Sequence, residues 1–407
     1  MRTRTTLFRP IFSLSMAGLM ALPALAQTPV VEGGENLPSA EPAFAEQTDA
    51  PEQISDLTLA RQDVATGLEH PWAVAVLPNG AGYLVTERPG RLRHITRDGE
   101  ISDPISGVPE VDARSQGGLL DVAIAPDFED SRVIYLTYAR PMGDGMTATA
   151  AARARLSEDM TALSGVEDIF VQSPPSPSPM HFGSRVVPTG DGHLFITTGE
   201  HFTRAERDLA QAVSTTYGKV VRVTPEGDVP GDNPFVEADA ALGEIWTLGH
   251  RNVQGAALHP ETGALWTIEH GPAGGDELNL IEAGANYGWP IVTYGVNYDG
   301  TPIGAEQTAH APAFVEPRYY WDPVIAPGGM VFYEGEMFPE WQGDILASGL
   351  VAASIVRLDL NGDTVAGEEW LMRGIGRVRD VAVDEDGAIV TVLDLPDAPL
   401  VRLVRED

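Results

Sequence analysis

The chain has 407 residues, no cysteine, and 59 acidic against 26 basic residues, a formal net charge of -33. The lack of cysteine excludes disulfides, thiolate nucleophiles, cysteine zinc sites and iron–sulfur clusters. So acidic a surface repels phosphate backbones and anionic lipid, which argues against nucleic acid and membrane surfaces as partners.

At the N-terminus, Arg2, Arg4 and Arg9 lead into an apolar run from Ile11 to Leu25 that closes on Ala24-Leu25-Ala26. A positive start, a short apolar stretch and a small-x-small site predict a secretory signal peptide over residues 1–26. The run is short for a membrane span and no second candidate follows it. Export is therefore expected, to the periplasm in a Gram-negative cell. Residues 27–56 are rich in Pro, Glu and Ala with little apolar periodicity, and are expected to form a disordered linker.

From residue 57 to 407 short β-branched and apolar runs alternate with Gly, Pro, Asp and Asn turns, and long helical patterns are scarce. One unit recurs. Leu77-Pro78-Asn79-Gly80 precedes the strand-like Gly82 to Thr86, and Pro188 to Gly192 precedes His193 to Thr198. His259 to Gly263 precedes Ala264 to Ile268, and Asp384 to Gly387 precedes Ala388 to Val392. Ala125 to Phe128, ahead of Val133 to Leu136, is a degenerate copy. A recurring hairpin unit signals a radial all-β repeat, whose closed ring leaves few exposed sheet edges. About 350 residues at about 50 to 60 per blade predict a six-bladed β-propeller, with seven blades left open. Ligands are then expected at the mouth of the central channel, on loops held by rigid sheets.

Five polar or glycine-rich clusters stand out from this texture. In Arg114-Ser115-Gln116-Gly117-Gly118-Leu119-Leu120-Asp121-Val122 the glycines admit a ligand close to the backbone and Gln116 offers a donor and an acceptor, although alone the segment reads as an ordinary turn before a strand. Met180-His181-Phe182-Gly183-Ser184-Arg185 carries a histidine able to accept a proton near neutral pH, or simply a structural one. Gly249-His250-Arg251-Asn252-Val253-Gln254-Gly255 sets a guanidinium beside an amide, which suits a planar ligand with carbonyls or carboxylates, or an inter-blade ion pair. Glu269-His270-Gly271-Pro272 through Glu277, followed by Asn286-Tyr287-Gly288-Trp289-Pro290, offers carboxylates and irregular-loop carbonyls of the kind a hard cation such as Ca²⁺ requires. Arg377 and Arg379, two apart on a strand, project to one face and could hold a polycarboxylate.

Taken in order, these segments resemble the glucose/sorbosone dehydrogenase family, particularly its aldose sugar dehydrogenase branch, over nearly the whole chain after residue 57. Gly67 to Trp72 and Thr86 to Arg91 fit the same pattern. The resemblance implies a six-bladed propeller that binds the quinone cofactor PQQ and Ca²⁺ in the central cleft. It implies oxidation of aldose sugars at C1 to the lactone, with His181 as general base and Arg251 as the electrostatic partner of the quinone. Gln116, Asn252, Thr293, Tyr298, Gly349, Leu350, Arg377 and Arg379, with Arg251, match cofactor-contacting positions. Gly271 and Pro272 match carbonyl ligands of a calcium on the cofactor, and Glu277 and Tyr287 match ligands of a structural calcium. Two departures are evident: Val351 stands where family members often carry lysine, and Met180 replaces an acidic residue of the glucose-specialised branch, which predicts a broader aldose range. The competing expectations are a calcium-dependent propeller hydrolase or lactonase, and a non-catalytic glycan-binding propeller.

Overall fold

The computed structural model describes residues 28–304 and 307–406. The expected signal peptide lies outside the described residues.

Among the described residues the strands assemble into six antiparallel sheets. The first blade comprises Pro71–Leu77, Gly82–Glu87 and Arg91–Ile95, with Ile101 adding a single bridge to Ile95. The second runs from Leu119–Ile124 to Leu163–Val171, the third from Gly183–Pro188 to Ile245–Leu248, and the fourth from Val253–Leu258 to Tyr319–Trp321. The fifth runs from Pro327–Phe332 to Thr364–Leu371. The sixth is built from Val378–Val383, Ile389–Leu393 and Ala398–Glu406, and is completed by Thr58–Leu68 from the other end of the chain. The first strand of every blade touches the first strand of the next, and the sixth blade's touches the first blade's, so these strands form a closed inner ring. The chain is a six-bladed β-propeller.

Sequence dictates this packing through strands that are apolar on both faces. Ile389–Leu393 and Ile345–Gly349 are buried throughout, because each sheet is covered on both sides by a neighbouring blade. Six apolar clusters each bridge two adjacent blades, for example Trp72, Leu84, Leu119 and Leu136 between the first and second. The recurring Gly/Asp turns fall between the first and second strands of five blades, as expected. In the fifth that turn is instead a short 3₁₀ segment, Pro339–Trp341.

At the centre of the ring sits Arg185, buried on the first strand of the third blade. It donates to Asp121 of the second blade at 2.8 Å, to Asp380 of the sixth at 3.0 Å and to the Gln254 carbonyl of the fourth at 3.1 Å. Asp380 in turn accepts from the Val74 amide of the first blade at 2.9 Å. One guanidinium thus ties the inner ends of five blades together.

The stretch expected to be a disordered linker takes a defined path instead. It crosses the fourth and fifth blades as a strap. Gln47 is buried and donates to the Pro317 carbonyl at 2.9 Å, the Gln53 amide donates to Glu368 O at 2.7 Å, and the Asn36 and Leu37 amides donate to the Asp322 carboxylate at 2.8 Å. Its anchors are hydrogen bonds to backbone and carboxylates rather than periodic apolar contacts, so hydrophobic patterning carried no sign of it.

Candidate active site

The inner strands all enter the ring from the same end, and the residues just before or at those entries line a cleft of about 180 Å³ at the channel mouth. Every blade contributes: Trp72 from the first, Gln116 from the second, His181 from the third, Arg251 and Asn252 from the fourth, Leu350 from the fifth, Arg377 and Arg379 from the sixth. Of the residues singled out in the sequence, Gln116, His181, Arg251, Asn252, Tyr298, Leu350, Arg377 and Arg379 therefore converge in one cleft.

His181 is fixed by a tight crossing of two loops. Its own φ is 47°, and Gly183 follows at φ 65°. A Cβ on Gly183 would lie 2.5 Å from the Thr198 carbonyl carbon, and one on Gly199 only 2.0 Å from the His181 carbonyl oxygen, so neither position tolerates a side chain. The His181 amide donates to Gln116 Oε1 at 2.8 Å, and the Gly183 amide to Asn252 Oδ1 at 3.0 Å. Both amide side chains thus spend their oxygens on holding the histidine loop, which leaves their NH₂ groups for a ligand.

The crossing brings Glu200 to His181, with Oε1 3.3 Å from Nδ1, and to Arg251, whose Nε is 4.0 Å away. The pair is not aligned as a hydrogen bond, so His181 Nδ1, Glu200 Oε1 and Arg251 Nε are all buried without a partner. Burial depresses the His181 imidazole, and Arg251 adds to this against the opposing pull of Glu200. For Glu200 burial opposes the charge, but His181 and Arg251 outweigh it and hold its carboxyl below the usual range. The pair thus couples a carboxyl that ionises readily to an imidazole that resists protonation. Phe202 stands edge-on to the imidazole, with ring centroids 5.0 Å apart.

Arg251 is anchored at both ends. Its amide donates to Glu269 Oε2 at 2.6 Å and its Nη1 to the carbonyls of His270 and Gly271 at 2.9 and 2.5 Å. Across the cleft, Arg379 is buried over the Trp72 ring at 4.6 Å and donates to Gln254 Oε1 at 2.8 Å. Its Nε has no partner, and burial, with Arg185 nearby, pulls its guanidinium down to about 9 despite Asp394. Arg377 is half-exposed, 3.7 Å from Asp394. Arg88 also lines the cleft and donates to the Ser115 carbonyl at 2.9 Å. An underpaired cluster of guanidiniums, one of them buried, is a receptor for carboxylates.

Other expected residues lie off the cleft. Thr293 is buried in the loop behind it, where its hydroxyl accepts from the Gly295 amide. Gly349 is buried beneath Leu350, and Val351 is 60% exposed, turned to solvent. Gly271 and Pro272 follow His270 on the cleft wall, where the Gly271 carbonyl serves Arg251. Glu277 lies deeper; Asn279 Nδ2 bridges it to Glu269 at 3.4 and 3.2 Å, and Tyr287 stacks at 4.6 Å on His250, which itself bonds Glu269 at 2.8 Å. Burial and then the charge of Glu269 push the Glu277 carboxyl well above its ordinary range, and no cationic side chain lies within 4.0 Å of it among the described residues. Buried like charges of this kind fit a hard cation. Among the described residues, no cluster of three or more His, Cys, Asp or Glu side chains is arranged as a metal site, so any such cation would depend on backbone carbonyls as well. Sequence reasoning did not single out Glu200, Gln254, His270 or Asp394 as site residues; Gln254 and His270 lie inside two of the clusters it did single out.

Residues 68–402 match the family described as glucose/sorbosone dehydrogenase. The chain is similar to the aldose sugar dehydrogenase YliI of Escherichia coli, 41% identical over 337 residues that cover 83% of this chain and 90% of that protein. Its fold is similar to the apo form of the soluble E. coli aldose sugar dehydrogenase, with a TM-score of 0.82, 39% identity, and coverage of 86% of this chain and 100% of that one. It is also similar to the PQQ-bound aldose sugar dehydrogenase of Streptomyces coelicolor, with a TM-score of 0.70, 26% identity, and coverage of 87% and 100%.

Proposed function

Because the chain belongs to the glucose/sorbosone dehydrogenase family, we propose that it is a PQQ-dependent aldose sugar dehydrogenase, oxidising aldoses at C1 to the lactone. The observation that carries this reading is a buried imidazole in the same cleft as guanidiniums that lack carboxylate partners. A hydrolase or lactonase has no use for the second feature.

PQQ, when bound, supplies the acceptor for the hydride that leaves C1. Arg379, Arg377 and Arg88 would hold its carboxylates, and Gln116 and Asn252 would offer their amide NH₂ groups. Tyr298 and Leu350 would flank it, with Gly349 and Thr293 supporting from behind. Arg88 also answers the missing lysine at Val351, since it places a cation on the same cleft from another blade. Ca²⁺ at the Gly271 and Pro272 carbonyls would add a Lewis acid there, and a second ion at Glu277 and the Tyr287 carbonyl would neutralise the buried carboxylates.

His181 accepts the proton of the anomeric hydroxyl at Nε2, because Nδ1 faces Glu200. The imidazolium that forms is stabilised by the Glu200 carboxylate. As the C1–H pair departs, the C1–O bond becomes the lactone carbonyl. Arg251 keeps a fixed positive charge beside the site and favours negative charge gained by the acceptor. The electron acceptor that reoxidises the enzyme is a separate partner. Export to the periplasm belongs to the same reading; among the described residues, no helix is long and apolar enough to cross a membrane.

The test is dye-linked glucose oxidation by the purified protein with calcium, before and after adding PQQ. Activity that appears only with PQQ is expected. Sugar-independent hydrolysis of lactones, with no PQQ-dependent oxidation, would replace this reading with the hydrolase.

A further inference from the structure

In so acidic a chain almost every arginine finds a carboxylate, and those that do not are informative. Arg207 has no carboxylate oxygen within 4.0 Å among the described residues; of the arginines that share this condition, Arg88 and Arg379 line the cleft. Arg132 is spent on the Phe128 ring and the Ser157 carbonyl, and Arg155 is exposed to solvent. Arg207 is neither. It is half-buried at the end of the short helix Arg204–Arg207, just after Glu200 and Phe202 on the base's side of the cleft.

Its guanidinium lies 5.3 Å from the centre of the Trp289 ring, and so does that of Arg251. Nη1 donates to Asn297 Oδ1 at 3.1 Å, beside the cleft-lining and largely exposed Tyr298, while Nε is buried with no partner. Burial lowers its guanidinium; Glu200 opposes this and Arg251 adds to it, and the charge of Arg207 in turn acts on His181. A cation set behind the cleft wall, beside the cleft-lining Tyr298, with its fork incompletely used, is suited to a ligand carboxylate or phosphate. In the dehydrogenase reading the cofactor's carboxylates would be held by Arg88, Arg377 and Arg379 on the other side.

We propose that Arg207 is a specificity-determining residue, and that the preferred substrates are aldoses bearing an anionic group, a carboxylate or a phosphate, on the part of the sugar remote from C1. This rests on the dehydrogenase reading of the same cleft. The holoenzyme reconstituted with PQQ and calcium should oxidise glucuronate or glucose 6-phosphate with kcat/KM at least about tenfold above glucose, the scale of one hydrogen bond to a charged group. The two anions show which group is read. Arg207→Gln should collapse the anionic-to-neutral ratio, and Arg207→Lys should restore part of it. Equal kcat/KM for glucose and both anions in the unaltered enzyme would overturn the proposal, as would an equal fall for all three sugars in Arg207→Gln, which would mark a mere pin on the Asn297 loop. Titration calorimetry with glucuronate and glucose makes the test independent of turnover. Tighter glucuronate binding that is lost in Arg207→Gln supports the proposal even if no sugar is oxidised, in which case the dehydrogenase reading alone fails. Equal binding of the two sugars sinks it.

Discussion

The imidazole of His181 is held between Gln116 at its backbone, Phe202 at its ring and Glu200 at Nδ1. Replacing it by glutamine keeps the loop's hydrogen bonds and removes the proton acceptor. His181→Gln should lower turnover by about a hundredfold or more while PQQ still binds, measured by dye-linked kinetics and cofactor titration; a fully active variant would reassign the base. The imidazole works in its neutral form and its pKa is depressed. Activity toward neutral aldoses should therefore hold as pH falls to about 6.5, the ordinary imidazole value, and decline only below it. Glu200 opposes that depression, so in Glu200→Gln the acid limb of kcat/KM should move to still lower pH while kcat drops, because the imidazolium loses its counter-charge. A limb that does not move would show that Glu200 does not act on the base. His181, Arg251 and Asn252 were legible because each sits in a short polar cluster at a strand entry. Glu200 was not. Nothing in Thr198-Gly199-Glu200-His201 marks it, and it meets His181 only through a loop crossing that two glycines permit.

At the scale of strands and turns, the recurring Gly/Asp unit revealed the blades because it marks the same turn in five of them. The fifth blade escaped the pattern since its turn is the 3₁₀ segment Pro339–Trp341, with Gln342-Gly343 after it. The polar clusters were harder to apportion, because ligand-facing and blade-joining residues share them. Asp121, Arg185 and Asp380 sit in or next to the clusters that hold Gln116, His181 and Arg379, yet they bond one another below the cleft. Gln116 and His181 stand in the loops ahead of the strands that carry Asp121 and Arg185, and Arg379 and Asp380, neighbours on one strand, point to opposite faces. This buried ion triad predicts a large asymmetry. Arg185→Met would leave two carboxylates without a cation in the middle of the ring and should cost about 3 to 5 kcal/mol, read from the denaturation midpoint. A loss below about 1 kcal/mol, the scale of an exposed pair, would mean that the inter-blade contacts alone hold the inner ends together.

For the whole molecule, ring closure and the strap depend on adjoining parts of the N-terminal region, and the two can be separated. Thr58–Leu68 pairs along Ala398–Glu406 from Thr58↔Glu406 to Leu68↔Ala398, so it completes the sixth blade and covers its edge. Residues 28–56 only overlie sheets that are already complete, adding bonds to Asp322, Tyr319 and Glu369. A chain that starts at residue 57 should therefore keep the oligomeric state of the longer chain and fold cooperatively, with a modestly lower Tm. A chain that starts at residue 69 should expose the Ala398–Glu406 edge, whose inward residues Leu400, Val401 and Leu403 are fully buried in the intact ring. An uncovered apolar strand edge pairs with other chains, so this protein should aggregate or lose its cooperative transition. Size-exclusion chromatography with thermal denaturation of both chains decides the matter. If the chain from 69 keeps the oligomeric state of the longer chain with an unchanged Tm, the blades close without this strand; if the chain from 57 already aggregates, the strap is the clasp that holds the fourth and fifth blades in register.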